Sequence, residues 1–317
     1  MLGKKNFKPV TLADRAFFER HYALYPQAHS DNNFTSMVCW NHFMHYRYAY
    51  VKKNVILECT AAGVTRLHPP IGPRDPELMG EVIQLALDMS DNNKPLMLID
   101  PETAKWMKEI DPDLMLVPDL NHFEYVYRGI DLAELPGKKY LKIRSQINKF
   151  QKNYRYTVEP ITPEKREEIM EFLVKWCKCK KCDENFILAH EIEAISYALE
   201  HLTELPLRGL LIRVGSQVGA ISLFERLNTN TALIHFEKGL PEYEGIYKAI
   251  NAETALVLAS EVEYINRESD LGISGLRKAK LRYHPHHMVE VYSLNRRTCF
   301  PVINNSICTA FKYYIQH

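Results

Sequence analysis

One order of segments is written twice along this chain, and that restricts its fold more than any single motif does. In the first half, Thr11 caps a segment whose apolar positions Leu12, Ala16, Phe17 and Tyr22 recur at helical spacing. Strand-like runs over 46–51, 55–59 and 64–67 follow, with Lys53-Asn54 placed to turn the first hairpin, then a helix over 76–89. A buried strand (96–99), a helix (101–110) and a strand (123–127) close that half. The second half opens on Thr162-Pro163, a cap with proline at the first helical position, and buries Ile169, Phe172, Leu173 and Trp176. A second helix turns Leu188, Ile192, Ile195 and Leu199 inward. Strands over 207–214 and 218–224 flank the Gly215-Ser216 turn, and a strand over 232–236 follows Asn228-Thr229-Asn230. A helix (246–260), a strand (264–266), a helix (276–281) and a strand (288–294) complete it. The expectation is two tandem α/β domains with mixed sheets: 1–135, a connector over 136–156, 157–297, and a tail over 298–317 without periodicity.

The connector is distinctive because no acidic residue occurs between Glu134 and Glu159. It carries Lys138, Lys139, Lys142, Arg144, Lys149, Lys152 and Arg155, while Tyr140, Ile143, Ile147, Phe150 and Tyr154 share one helical face. Two readings stay open. The lysines solvate a helix packed between the domains, or they form a landing strip for phosphates of tRNA or anionic lipid headgroups. The whole chain offers no such field: 40 basic residues against 39 acidic give its 317 residues a net charge of +1. With 46% hydrophobic and 25% charged residues it is neither disordered nor collagen-like. Its start lacks the apolar core of a signal peptide, and no run of about 18 apolar residues offers an integral membrane segment. Those features predict a cytoplasmic chain whose seven cysteines stay as thiols.

Two stretches carry chemistry. The first, Glu237-Lys238 to Asn251, lies between a strand and a helix, where free N–H groups and the helix dipole favour an anion. Lys238 and the backbone at Gly245 suit phosphate, with Tyr243, Tyr247 and Asn251 around them, and Glu237 stands as a base. The acetyltransferase loop R/Q-x-x-G-x-G/A for coenzyme A is absent. In the second stretch, Asn266 to Pro285, Asp270 is suited to orient a donor ammonium and Lys280 to meet an oxyanion. Asn266, Arg267 and Arg277 lie beside them as further donor-binding candidates. Cys177, Cys179 and Cys182 with His190 invite a zinc reading, but three bunched cysteines lack the two separated pairs of a structural site, so no metal is expected. His284, His286 and His287 read as exposed imidazoles in a turn.

Together, E-K-x4-Y-x-G-I-Y-x-x-I-N and Y-I-N-R-E-x-D-L-G-x-x-G-L-R-K-A-K-L-x-Y-x-P resemble the C-terminal domain family of phosphatidylglycerol lysyltransferases, in its soluble branch. Lys142-Ile143-Arg144 and Ile147-Asn148-Lys149-Phe150 look like that branch too. Asp270-Leu271-Gly272 is similar to an Asp-Leu-Gly turn of the family, and Lys280, Tyr283 and Pro285 to its lysine-aromatic-proline ending. The resemblance implies a tandem GCN5-related N-acyltransferase fold and an aminoacyl- or acyltransferase. The donor it implies is an aminoacyl-tRNA as co-substrate, the acceptor a small-molecule or lipid-headgroup amine or hydroxyl. A coenzyme A thioester donor, or a non-catalytic binding protein on the same fold, are the alternatives.

Overall fold

The computed structural model describes residues 2–89, 92–182 and 185–296, so the expected tail lies outside the described residues. The strands are β1 (Lys8–Pro9), β2 (Arg47–Val51), β3 (Asn54–Ala61), β4 (Val64–Leu67), β5 (Leu96–Ile99), β6 (Leu116–Pro118) and β7 (Glu124–Arg128) in the first half. The second half supplies β8 (Tyr156–Pro160), β9 (Arg208–Val214), β10 (Gln217–Arg226), β11 (Thr231–Gly239), β12 (Tyr264–Ser269), β13 (His287–Val289) and β14 (Tyr292–Leu294). The helices are α1 (Arg15–Leu24), α2 (Phe34–Cys39), α3 (Asn41–Met44), α4 (Pro76–Met89), α5 (Pro101–Ile110) and α6 (Gly129–Glu134), then α7 (Leu141–Asn153), α8 (Arg166–Lys180), α9 (Phe186–Glu200), α10 (Ile246–Leu258) and α11 (Ser274–Leu281).

Two mixed sheets form, ordered β1-β2-β3-β4-β5-β14-β6 and β8-β9-β10-β11-β12-β7-β13. Position for position these are the same order, as the repeated segments require. One departure is not legible in the sequence: the sixth strand of each sheet comes from the other half. β7 pairs with β12 (Ile265 opposite Tyr127), whereas β14 pairs with β5 (Tyr292 opposite Ile99). The strand expected at 123–127 therefore lies in the second sheet, between β12 and β13, rather than in the first. The single strand expected over 288–294 is two short ones, one in each sheet.

Local chemistry explains the turns. Lys52 and Lys53 both take positive φ (50° and 63°), so the β2–β3 turn lies one residue before the expected Lys53-Asn54, and buried Asn54 opens β3. Thr11 does cap its helix, through a short 3-10 turn in which its N–H and hydroxyl both donate to Asp14 Oδ2 (3.0 and 2.9 Å). Asp100 caps α5 by accepting from the N–H groups of Glu102 and Thr103, with Pro101 at the first helical position. The largest core ignores the division of the chain. Phe18, Phe34 and Met37 from α1 and α2 pack in one cluster with Phe172 and Trp176 of α8 and Ile195 of α9. The thiol expectation fails at Cys177 and Cys182, which are joined in a disulfide with their Cα atoms 5.1 Å apart. Among the described residues no helix is long and apolar enough to cross a membrane.

Candidate active site

Strands β11 and β12 run parallel but pair only over Thr231–Leu233 and Tyr264–Asn266. Past that point β11 stays with β10 as far as Gly239, while β12 bends away where its register with β7 shifts between Asn266 and Ser269. Glu268, at φ +59°, makes that bend. The strands thus open into a V, and polar side chains rather than ladder hydrogen bonds fill it. Arg267 Nη2 donates to Glu237 Oε2 across the opening (3.2 Å), and Asn251 Nδ2 of α10 donates to the same oxygen (3.2 Å). The guanidinium lies 4.9 Å over the Tyr283 ring.

An acidic wall faces this opening, and both halves build it. His235 on β11 bonds Glu225 on β10 through Nε2 (2.8 Å), and its Nδ1 lies 3.8 Å from Glu268. Glu124 on β7 is fully buried, and accepts from the Ser30 N–H (3.1 Å), the Ser30 hydroxyl and Asn266 Nδ2 (2.7 Å). Burial disfavours charge on His29, 3.5 Å from Glu124, but the carboxylates of Glu124 and Asp31 outweigh it and raise its pKa. Glu268 keeps a third of its side-chain surface open. Burial of its carboxyl, then the charge of Glu124, pushes its pKa well up, against the pull of Lys280. A carboxyl of this kind takes up and releases its proton at higher pH than an ordinary glutamate does.

The ammonium of Lys280, expected to meet an oxyanion, is buried and instead donates to the carbonyls of Arg267, Glu268 (3.0 Å) and Ser269 (2.6 Å). Its three N–H groups are thereby spent on the bend that presents Glu268. Burial lowers its pKa to about 8, with Glu268 acting in the opposite direction. Asp270 is likewise saturated, accepting from Tyr125 Oη, Arg277 Nε (2.7 Å), Arg277 Nη2 (2.8 Å) and the Gly272 N–H (2.8 Å). Its burial would raise its pKa, but Arg277 and Tyr125 hold it low. Lys238 is nearly buried against Glu191 of α9 (2.6 Å) and over the Trp176 ring (4.8 Å), and Trp176 Nε1 donates to Tyr247 Oη (2.8 Å).

At the start of α10, Gly245 (φ +91°) meets α7, and a Cβ there would stand 2.4 Å from the Gln146 carbonyl oxygen. The N–H groups of Ile246, Lys248 and Ala249 are already bonded to the carbonyls of Tyr243 and Gly245. At the start of α10, then, Gly245 packs on α7 and three of the N–H groups expected to hold a phosphate are engaged. Tyr243 turns away from the V, edge-on to Tyr154 at 5.3 Å. Helix α7 skirts the site, from Tyr140 Oη on the Tyr283 carbonyl (2.9 Å) at one end to Phe150 and Tyr154 beside Gly245 and Tyr243 at the other. Its face of Ile143, Ile147 and Phe150 is buried, as the spacing predicts, and Lys138, Lys142, Lys149 and Lys152 are exposed. Lys149 is paired with Glu244 (2.6 Å).

Sequence reasoning misses Glu268, His235, Glu225, Glu124 and Glu191. His235 leaves a trace, a polar residue inside the apolar strand Ala232-Leu233-Ile234-Phe236. Two surface hollows, of about 210 Å³ between α6, α7 and α10 and about 340 Å³ beside His42 and Tyr197, lie apart from the V.

Residues 22–295 match the family model described as "Phosphatidylglycerol lysyltransferase, C-terminal". No curated protein matches the chain. Among solved structures, it is similar to a conserved protein of unknown function from Bacteroides thetaiotaomicron VPI-5482, with a TM-score of 0.84 and 30% identity over 92% of this chain and 99% of that one. L-PGS from Bacillus licheniformis is matched at a TM-score of 0.63 and 15% identity, over 100% of this chain and 99% of that one. FemX is matched at 0.58 and 7%, over 92% and 97%.

Proposed function

The chain belongs to the phosphatidylglycerol lysyltransferase C-terminal family and is a transferase of tandem GCN5-related fold, and from that premise we propose that it moves an amino acid from an aminoacyl-tRNA to an amine or hydroxyl acceptor. The observation that carries this reading is Glu268, a carboxyl of raised pKa with a third of its surface open, held among the carboxylates of Glu124 and Glu225. The aminoacyl group enters the V, where carboxylates suit its ammonium. The acceptor attacks the ester carbonyl as Glu268 takes its proton, and Glu268 returns that proton to the ribose oxygen as the tetrahedral intermediate collapses, releasing the terminal hydroxyl of the tRNA. Arg267, which reaches across the V to Glu237, is the cation we assign to the developing oxyanion. Lys280 and Asp270, with no donor or acceptor to spare, act by positioning the bend rather than by touching substrate.

The covered start of α10 favours this donor over a coenzyme A thioester, whose pyrophosphate needs free N–H groups there. The exposed lysines of α7 supply phosphate contacts along the edge of the site instead, and a tRNA donor places the reaction in the cytoplasm. The acceptor is a headgroup or a small amine or hydroxyl compound.

The test is transfer of radiolabel from tRNAs charged with single amino acids, to phosphatidylglycerol vesicles and to soluble amines. Wild type should move the label, and Glu268→Gln should slow transfer about 10²- to 10⁴-fold with its melting temperature kept. Label that stays on every donor, or an active Glu268→Gln, defeats the reading. A melting temperature raised by coenzyme A thioesters would favour the alternative donor.

A further inference from the structure

Where α3 of the first half meets α9 of the second, His42 faces His190 and Glu193. One ligand atom from each lies within 4.8 Å of the other two, the one such cluster among the described residues. His42 Nε2 is 3.5 Å from Glu193 Oε2, and His190 Nδ1 is 3.9 Å from Glu193 Oε1. Both separations are too long for hydrogen bonds. The first matches the spacing of about 3.3–3.5 Å that ligands adopt around a tetrahedral ion at about 2.0–2.2 Å, and a turn of the Glu193 carboxylate, which meets the two rings with different oxygens, would close the second.

Three further observations point the same way. The Nδ1 atom of His190 is buried without a hydrogen-bond partner, which a polar atom seldom tolerates. Nδ1 of His42 lies 3.2 Å from the Cys39 carbonyl, which accepts its proton and leaves Nε2 turned toward Glu193. The rings are already fixed. Phe43 stacks on His190 at 4.5 Å, Phe186 meets it edge-on at 4.4 Å, and Trp40 stacks on His42 at 6.4 Å. His190 and Glu193 share a helix face by their spacing of three residues.

We propose that His42, His190 and Glu193 bind a divalent ion of the zinc class through two imidazole nitrogens and one carboxylate oxygen, with water in the fourth position. The ion ties α3 of the first half to α9 of the second. It does so next to Glu191, the partner of Lys238. Cys177 and Cys182, joined to each other, contribute no thiolate. The inference does not depend on which group the enzyme transfers.

The experiment uses the full chain, stripped with EDTA, desalted and titrated with zinc chloride alone. Wild type should retain one equivalent through a second desalting and melt at a higher temperature with zinc than without. His42→Ala with His190→Ala should lose both the equivalent and the shift, and the Cys177→Ser, Cys179→Ser, Cys182→Ser variant should keep both. Cobalt in wild type should show nitrogen and oxygen ligation without a sulfur charge-transfer band, a readout that needs no variant to fold. No retained metal, retention by the double histidine variant, or a sulfur band would each overturn the proposal.

Discussion

At the scale of single residues, the ammonium of Lys280 does the most to shape the site without meeting the substrate. Lys280→Met leaves three carbonyls of the bend without their charged donor, so it should cost about 3 kcal/mol of stability in urea unfolding. It should also slow transfer less than Glu268→Gln does. His68 is a second isolated case. Buried with Nδ1 on Asn32 Oδ1 (2.8 Å), its pKa is pushed down to about 4 by burial, from an ordinary value near 6.5. The unfolded chain then takes up a proton first as pH falls. The stability His68 contributes is therefore complete above about pH 6.5, and is lost as pH drops through about 4. Comparing wild type with His68→Gln by unfolding at several pH values should reveal a difference of roughly 3 kcal/mol across that window. Residue types are legible in the sequence, and Arg267 and Glu237, both candidates there, meet across the V. Their partners are not, because the spending of Lys280 on carbonyls depends on a positive φ at Glu268 that no pattern of letters encodes.

Among the elements, α7 is the most fully legible in the sequence. Its apolar stripe and its exposed lysines both stand where helical spacing puts them, since a period of 3.6 residues is a local property. Its docking is not local. It depends on Gly245 coming up against the Gln146 carbonyl, so Gly245→Ala should displace α7 and lower stability by at least about 2 kcal/mol, seen as a drop in melting temperature. If the lysines touch tRNA, replacing Lys138, Lys142, Lys149 and Lys152 together with glutamine should weaken binding. The log–log salt dependence should then flatten by about 0.7 to 0.9 for each phosphate that is no longer neutralised. Unchanged affinity and slope would return the helix to a solvated connector. A further ion-pair network holds β8 to β9 and α8: Arg213 bridges Glu159 and Glu168 (2.8 and 2.9 Å). Arg213 and Lys165 pull the pKa of Glu159 down to about 2, so its contribution is present above about pH 4.5 and fades as pH falls toward 2.

For the whole molecule, the repeated order reveals two sheets but cannot reveal that each half lends the other a strand. The period of a strand says which face is buried and nothing about which sheet receives it. The exchange and the shared core of α1, α2, α8 and α9 make the halves one cooperative body. Calorimetry should accordingly show a single transition whose calorimetric and van't Hoff enthalpies agree. A fragment spanning 157–296, deprived of β7, should not fold alone. The same exchange also sets a timetable. On the ribosome, β5 and β6 emerge long before β14, the strand that lies between them, opposite Ile99 and Pro118. At about 5–20 residues per second the first sheet waits roughly ten to thirty-five seconds with a gap between β5 and its edge strand β6. The half made first is thus the half finished last. During that wait its unpaired edges are open to chaperones and to neighbouring nascent chains of the same kind.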